Sequence, residues 1–182
     1  MNRAANRLTL YQKQLNSSTP APPIPAAPKP TTMERDPITC HALNTLTGTP
    51  ATNLPVTLSL LASPSTSSSN NSGNNSSNPL LSYHAITDAD GRVKTWTPTS
   101  PASTTSVPDL LAALPESDSS TAWSVRFDVG PWYATQGVES FWPEVEIKFV
   151  VKGRGRQGEG GWRHYHVPVL LGPWSYSTYR GS

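Results

Sequence analysis

Apolar and polar residues alternate along several short stretches of this chain. Such a period of two marks half-buried β-strands, whose successive side chains point to opposite faces. "LPVTLSLL" puts Val56, Leu58 and Leu60 on one face. "TAWSVRFDV" puts Trp123, Val125, Phe127 and Val129 on one face and Ser124, Arg126 and Asp128 on the other. "FWPEVEIKFVV" repeats the scheme with Val145, Ile147, Phe149 and Val151. Further strands are predicted in "DPITCHALNT", "WRHYHVPVLL" and the closing "YSTYRGS". "HAITDADGRVKTW" contains a turn at Asp90–Gly91, with Arg92 just beyond it. Helix is scarce: "PDLLAAL" offers a turn or two with Asp109 near its start, and "GPWYATQG" offers a short helix between Gly130 and Gly137. Seven or eight short strands with turn residues between them indicate an all-β, antiparallel sandwich.

Between these stretches the pattern lapses. Residues 62–79, "ASPSTSSSNNSGNNSSNP", have almost no apolar content. They read as a disordered insertion in a surface loop, which costs little because closure entropy grows slowly with length. "TPTSPASTTSVP", residues 97–108, is expected to behave in the same way. Residues 1–35 stand apart as a basic, mildly amphipathic segment followed by a Pro/Ala/Ser linker of extended type. The folded domain is therefore expected over residues 36–182. Within the first segment, Arg7-Leu8, five residues and then Gln14-Leu15 form the pattern of a type-2 peroxisomal targeting signal. On a helix these four share a face that an import receptor could read. The expected location is the peroxisome, with the cytoplasm as the alternative.

Composition narrows the function classes. At 182 residues the chain fits one domain with appendages. A net charge of +2 without a basic block gives no reason to expect nucleic-acid binding. One cysteine, Cys40, excludes an intrachain disulfide framework and fits a reducing compartment. No apolar run approaches the roughly 18 residues of a membrane span. The Asn-x-Ser sites at Asn16, Asn70, Asn74 and Asn75 read as products of Asn/Ser-rich sequence.

Four histidines carry most of the candidate chemistry: His41, His84, His164 and His166. His164 and His166 lie two apart and face the same way on a strand. They could present two zinc ligands, but the sequence offers no obvious third, so no metal is expected. There is no Gly-x-Ser-x-Gly elbow for a serine hydrolase. "GRGRQGEGG" lacks the Gly-Lys-Ser/Thr ending of a phosphate loop and precedes a strand. No cofactor is expected.

Four motifs stand in a telling order: "HALNTLTGTPA" (41–51), "TDADGR" (87–92), "FWPEVEIKF" (141–149) and "HYHVPVLLGPWSYSTYRGS" (164–182). Together they resemble the 5-hydroxyisourate hydrolases, the transthyretin-related enzymes of urate breakdown. The resemblance covers residues 36–182 apart from the two low-complexity stretches. The terminal Tyr-Arg-Gly-Ser separates these enzymes from transthyretin, the hormone carrier. The resemblance implies a transthyretin-like (prealbumin-like) sandwich of two four-stranded sheets with one short helix. It also implies a homotetramer, a dimer of dimers with active sites in the channel between dimers. By position it implies catalytic roles for His41, Arg92, His166 and Ser182, and substrate contacts for Tyr179, Arg180 and Gly181. His164 does not align with a catalytic histidine. Asn44, where many relatives have Asp, and Gly172 and Trp174, which depart from a commoner "SPYGYS"-like stretch, are expected to bear on pocket shape. The implied reaction is hydrolytic opening of the oxidised purine ring at its N1–C6 amide bond. The alternative is a transthyretin-like carrier without catalysis.

Overall fold

The computed structural model describes residues 35–62, 79–115 and 118–181. The targeting pattern Arg7, Leu8, Gln14 and Leu15, residues 63–78 of the expected 62–79 insertion and Ser182 lie outside the described residues, while Ala62 ends a strand. The described chain forms ten strands: β1 (Ile38–Asn44), β2 (Thr49–Pro50), β3 (Pro55–Ala62), β4 (Leu81–Ile86), β5 (Arg92–Val93), β6 (Thr97–Pro98), β7 (Ser120–Phe127), β8 (Val145–Lys152), β9 (Tyr165–Leu171) and β10 (Tyr176–Thr178). Two short helices accompany them, α1 (Val107–Ala112) and α2 (Val129–Ala134).

The strands make two sheets. One runs β10-β9-β1-β2, with the two-residue β5 also paired to β1; the other runs β6-β4-β3-β7-β8. The expected two-sheet sandwich is thus present. Each sheet gains a fifth strand because two-residue segments join its margins, and both candidate helices form. One pairing departs from the antiparallel rule: β1 and β9 run parallel, with Thr39 opposite His166 and His41 opposite Pro168.

The inward faces are those the alternation marks. Val56, Leu58 and Leu60 of β3 meet Trp123, Val125 and Phe127 of β7, all buried. From the other sheet come Ile38, Cys40 and Ala42 of β1 with Val167, Val169 and Leu171 of β9. Burial pushes the Cys40 thiol well above its usual range, so it behaves as a small core hydrophobe.

The stretch 97–108 is folded, contrary to the expectation of a second disordered loop. Thr97 and Pro98 pair with β4, and the Thr99 amide donates to the Ser82 carbonyl. Ser106 then caps α1 by accepting from the Asp109 amide, and Val107 and Leu111 are buried. Backbone pairing and two apolar anchors order a segment whose composition alone suggests a loop.

Helix α2 braces the site sheet from inside. The Tyr133 hydroxyl donates to the Leu171 carbonyl at 3.0 Å, and the Trp132 indole donates to the Thr52 carbonyl at 2.8 Å. Asn44, expected to bear on pocket shape, is buried and borders a cavity of about 570 Å³ beside α2. Its side-chain oxygen accepts from the Leu46 amide at 3.0 Å and lies 3.2 Å from the Tyr133 hydroxyl, whose one proton it shares with the Leu171 carbonyl.

Candidate active site

Because Ile38, Cys40 and Ala42 fill the core, alternation forces Thr39 and His41 onto the outer face of β1. The same logic on β9 sends His166 outward between buried Val167 and half-buried Tyr165. The short β5 supplies the third group: Arg92 is paired with His41, while Val93 turns into the core. One sheet face therefore gathers His41, Arg92 and His166 from segments far apart in sequence. The two imidazole centroids lie 6.3 Å apart with the rings inclined at 32°.

The "TDADGR" motif explains how Arg92 is held. The buried Thr87 hydroxyl donates to the Ala51 carbonyl at 2.6 Å and accepts from the Leu54 amide at 2.8 Å. The Asp88 carboxylate accepts from the amides of Asp90 at 2.9 Å and Arg92 at 2.8 Å, closing the turn. Lys94 reaches its other oxygen at 3.0 Å. Gly91 has φ +73°, and an added Cβ would run into the Ala42 carbonyl of β1. A side chain there would push β5, and Arg92 with it, off the β1 edge.

Both site imidazoles are held neutral. Burial, then the charge of Arg92, then His164, His41 and Arg35 lower the His166 pKa to about 4. Burial and Arg92 also lower that of His41, against a hydrogen bond to the Asp90 carbonyl and the charges of Asp88 and Asp90. The face thus presents two proton acceptors beside a fixed cation.

Thr39, which the sequence reading misses, and His164, which it weighs and sets aside, complete the cluster. The Thr39 hydroxyl, 2.8 Å from His166 Nδ1, is also 3.0 Å from His164 Nε2. His164 stacks on His166 (centroids 6.1 Å, 19°) and on Trp162 (6.3 Å, 16°). Thr39 is missed from sequence because its meaning comes from the β1–β9 register. Its only local signal is that it shares a face with His41.

Among the described residues, Gly181 pairs the tail with the site strand. The Gly181 amide donates to the His166 carbonyl at 2.9 Å, forming an isolated antiparallel bridge. An added Cβ at Gly181 would lie 2.7 Å from His166 Cδ2. Tyr179 and Arg180 border, with His166, a cleft of about 290 Å³ whose wall includes Ile147, Phe149 and Tyr165. The Arg180 guanidinium lies 5.5 Å from the Tyr165 ring centroid. Gly172 sits in the β9–β10 turn and Trp174 is exposed. His84 belongs to the other sheet, paired with Thr57 and Thr97. A larger cavity of about 570 Å³, lined by Thr47, Thr52, Trp132 and Gln136 among others, contains none of the predicted site residues.

Comparison with known proteins agrees with this architecture. The profile of the HIUase/Transthyretin family matches residues 38–181. A probable 5-hydroxyisourate hydrolase of Schizosaccharomyces pombe is 32% identical over 161 residues, covering 88% of this chain and 97% of that protein. The 5-hydroxyisourate hydrolase of Mus musculus is 32% identical over 149 residues, covering 82% of this chain and 98% of the mouse protein. Among solved structures, (S)-allantoin synthase superposes with a TM-score of 0.52 at 26% identity, over 80% of this chain and 43% of that one. The chain belongs to the HIUase/transthyretin family.

Proposed function

We propose that this chain hydrolyses 5-hydroxyisourate, opening the ring at the N1–C6 amide bond to give 2-oxo-4-hydroxy-4-carboxy-5-ureidoimidazoline in the breakdown of urate. The observation that carries the reading is the meeting of His41, Arg92 and His166 on one sheet face, in a chain whose full-length relatives bear the hydrolase name.

Water is a poor nucleophile, and a neutral imidazole removes its proton as it attacks the C6 carbonyl. Negative charge gathers on the carbonyl oxygen, where the Arg92 guanidinium stabilises it. Arg92 also suits the planar, anionic edge of a urate-like ring through two parallel hydrogen bonds. As the C6–N1 bond breaks, an imidazolium returns the proton to N1. His41 and His166 share this proton handling, so no step is routed through a metal or cofactor. Ser182 belongs to the proposed catalytic set; Tyr179, Arg180 and Gly181 are the proposed substrate contacts.

The proposed assembly is a tetramer, a dimer of dimers with the site face lining the channel between dimers. The proposed location is the peroxisome, through a receptor reading Arg7, Leu8, Gln14 and Leu15. A fluorescent reporter fused to residues 1–20 should become punctate and disperse with Arg7→Ala; a diffuse parent fusion rejects this route.

The activity is tested by generating 5-hydroxyisourate in situ with urate oxidase and following its loss after adding the chain. Loss faster than spontaneous decay is expected. An unchanged rate leaves a transthyretin-like carrier.

A further inference from the structure

The geometry points to Thr39 and His164 as positioning residues for His166: the Thr39 hydroxyl sets which nitrogen of His166 carries its proton, and His164 receives the proton passed through that hydroxyl. This rests on the reading of His166 as a proton acceptor in the hydrolysis.

A threonine hydroxyl has one proton to donate and can accept others. Thr39 is 2.8 Å from His166 Nδ1 and 3.0 Å from His164 Nε2, so it bridges two imidazoles at once. One proton cannot serve both contacts as donor. If Thr39 donates to His164 Nε2, it accepts from His166 Nδ1–H, and His166 Nε2 is a bare lone pair. If Thr39 donates to His166 Nδ1, it accepts from His164 Nε2–H, and His166 Nε2 carries hydrogen. The first arrangement lets His166 Nε2 take a proton; the second leaves it a hydrogen-bond donor that cannot act as a base. Whenever the hydroxyl donates to either ring, the tautomers of His164 and His166 are coupled through it; if it accepts from both, His166 Nε2 is again bare.

The bridge is built to hold. Thr39 is 5% exposed and stands opposite His166 in the parallel register, so strand pairing fixes its distance. Its β-branched side chain has few rotamers to lose. His164 lies between Trp162 and His166, with both rings near-parallel to its own.

The proton balance is closed. Water gives a proton to His166 Nε2; His166 Nδ1–H passes its proton to Thr39 Oγ1; the hydroxyl proton moves to His164 Nε2. No bond to carbon changes within the relay, and reversing it restores the proton for the leaving N1. The groups facing His166 favour this traffic: Arg92, His41 and Arg35 all disfavour a lasting charge on it. Burial and Arg35 lower the His164 pKa as well, so the charge rests there only in passing, beside the Trp162 ring and without the Arg92 charge that bears on His166.

The test compares Thr39→Val, Thr39→Ser and His164→Phe in the full chain. Each is assayed for kcat and KM, and its His166 tautomer is read from ¹⁵N imidazole shifts. The parent should show His166 with hydrogen on Nδ1. Thr39→Val keeps the shape without the hydroxyl; it should mix the tautomers and lower kcat at least about tenfold with KM unchanged, a part of the usual 10²–10⁴ of acid–base catalysis. Thr39→Ser should restore both. His164→Phe keeps the stack but removes the acceptor, so Thr39 should donate to His166 and shift its hydrogen to Nε2, lowering kcat similarly. If Thr39→Val fails to fold, His164→Phe reads the same proposal. Parent kcat with unchanged shifts in the folded variants overturns it. His166→Ala serves as the reference: if it is inactive while Thr39→Val and His164→Phe are not, the relay alone is wrong. If His166→Ala is fully active, the reading of the site itself has failed.

Discussion

Gly181→Ala should cripple the enzyme without unfolding it. The added methyl would lie 2.7 Å from His166 Cδ2, 3.3 Å from His166 Cβ and 3.0 Å from Pro168 Cγ. Pro168 is locked into β9, opposite His41. The His166 ring is the part that can yield, and reaching ordinary contact requires it to move by about 0.7 Å. Such a shift also strains the 2.8 Å contact from Thr39 to Nδ1. Misplacing a reacting group by about 1 Å can cost about 10²-fold, so kcat should fall about 10- to 100-fold, or about 1.4–2.7 kcal/mol on the barrier. Stability should change little, because the substitution touches one tail bridge outside the core and stays within about 0.5 kcal/mol. The measurement is the loss of in-situ-generated 5-hydroxyisourate, beside a denaturant titration of each protein. A parent-like kcat in the folded variant would show that the ring position does not limit the rate. An equal loss of stability and activity would show that the tail is only structural.

Other consequences concern pH and the supports of the site. Because the His166 pKa is lowered to about 4 while the unfolded chain titrates near 6.5, the unfolded state binds more protons between these values. Its contribution makes stability fall as pH drops from about 6.5 to about 4 and level off below, and His166→Ala should flatten that slope in pH-dependent unfolding. If His166 is the group that must be neutral, the acid limb of kcat/KM should lie well below 6.5; a limb at or above that value contradicts the neutral-imidazole site. Thr87→Val removes a hydroxyl shared by the Ala51 carbonyl and the Leu54 amide, and should cost about 2 kcal/mol in denaturant unfolding. Gly91→Ala should displace β5 and lower activity more than Gly48→Ala, since an added Cβ at Gly48 meets open space; equal activities would show that the turn does not set Arg92.

What could be read from sequence was what is local. Alternation exposes the inward faces of β3 and β7, because Val56, Leu58 and Leu60 or Trp123, Val125 and Phe127 need only their own neighbours to declare a face. The Asp90–Gly91 turn declares itself through residue chemistry. The parallel β1–β9 pairing does not, since nothing in "ITCHALN" specifies its partner. Thr39 stays hidden for that reason, and His164, seen beside His166 but set aside, gains its partner only through a register between residues more than a hundred positions apart. The 97–108 stretch misled because composition records few apolar residues, whereas its order rests on backbone pairing to β4 and on buried Val107. His41, Arg92 and His166 were reached through the family motifs; periodicity places them outward but gives them no role.

The central claim is that His41, Arg92 and His166 act together on one sheet face. Its most direct measurement follows 5-hydroxyisourate loss for the parent, His41→Ala, Arg92→Ala, His166→Ala and the double variant His41→Ala/His166→Ala, each confirmed folded. Each single variant should lose at least about 10²-fold in kcat, and the double should fall far short of the product of the single losses, because the groups serve one transition state. Parent-like rates in any single variant, or losses that simply multiply, would contradict it.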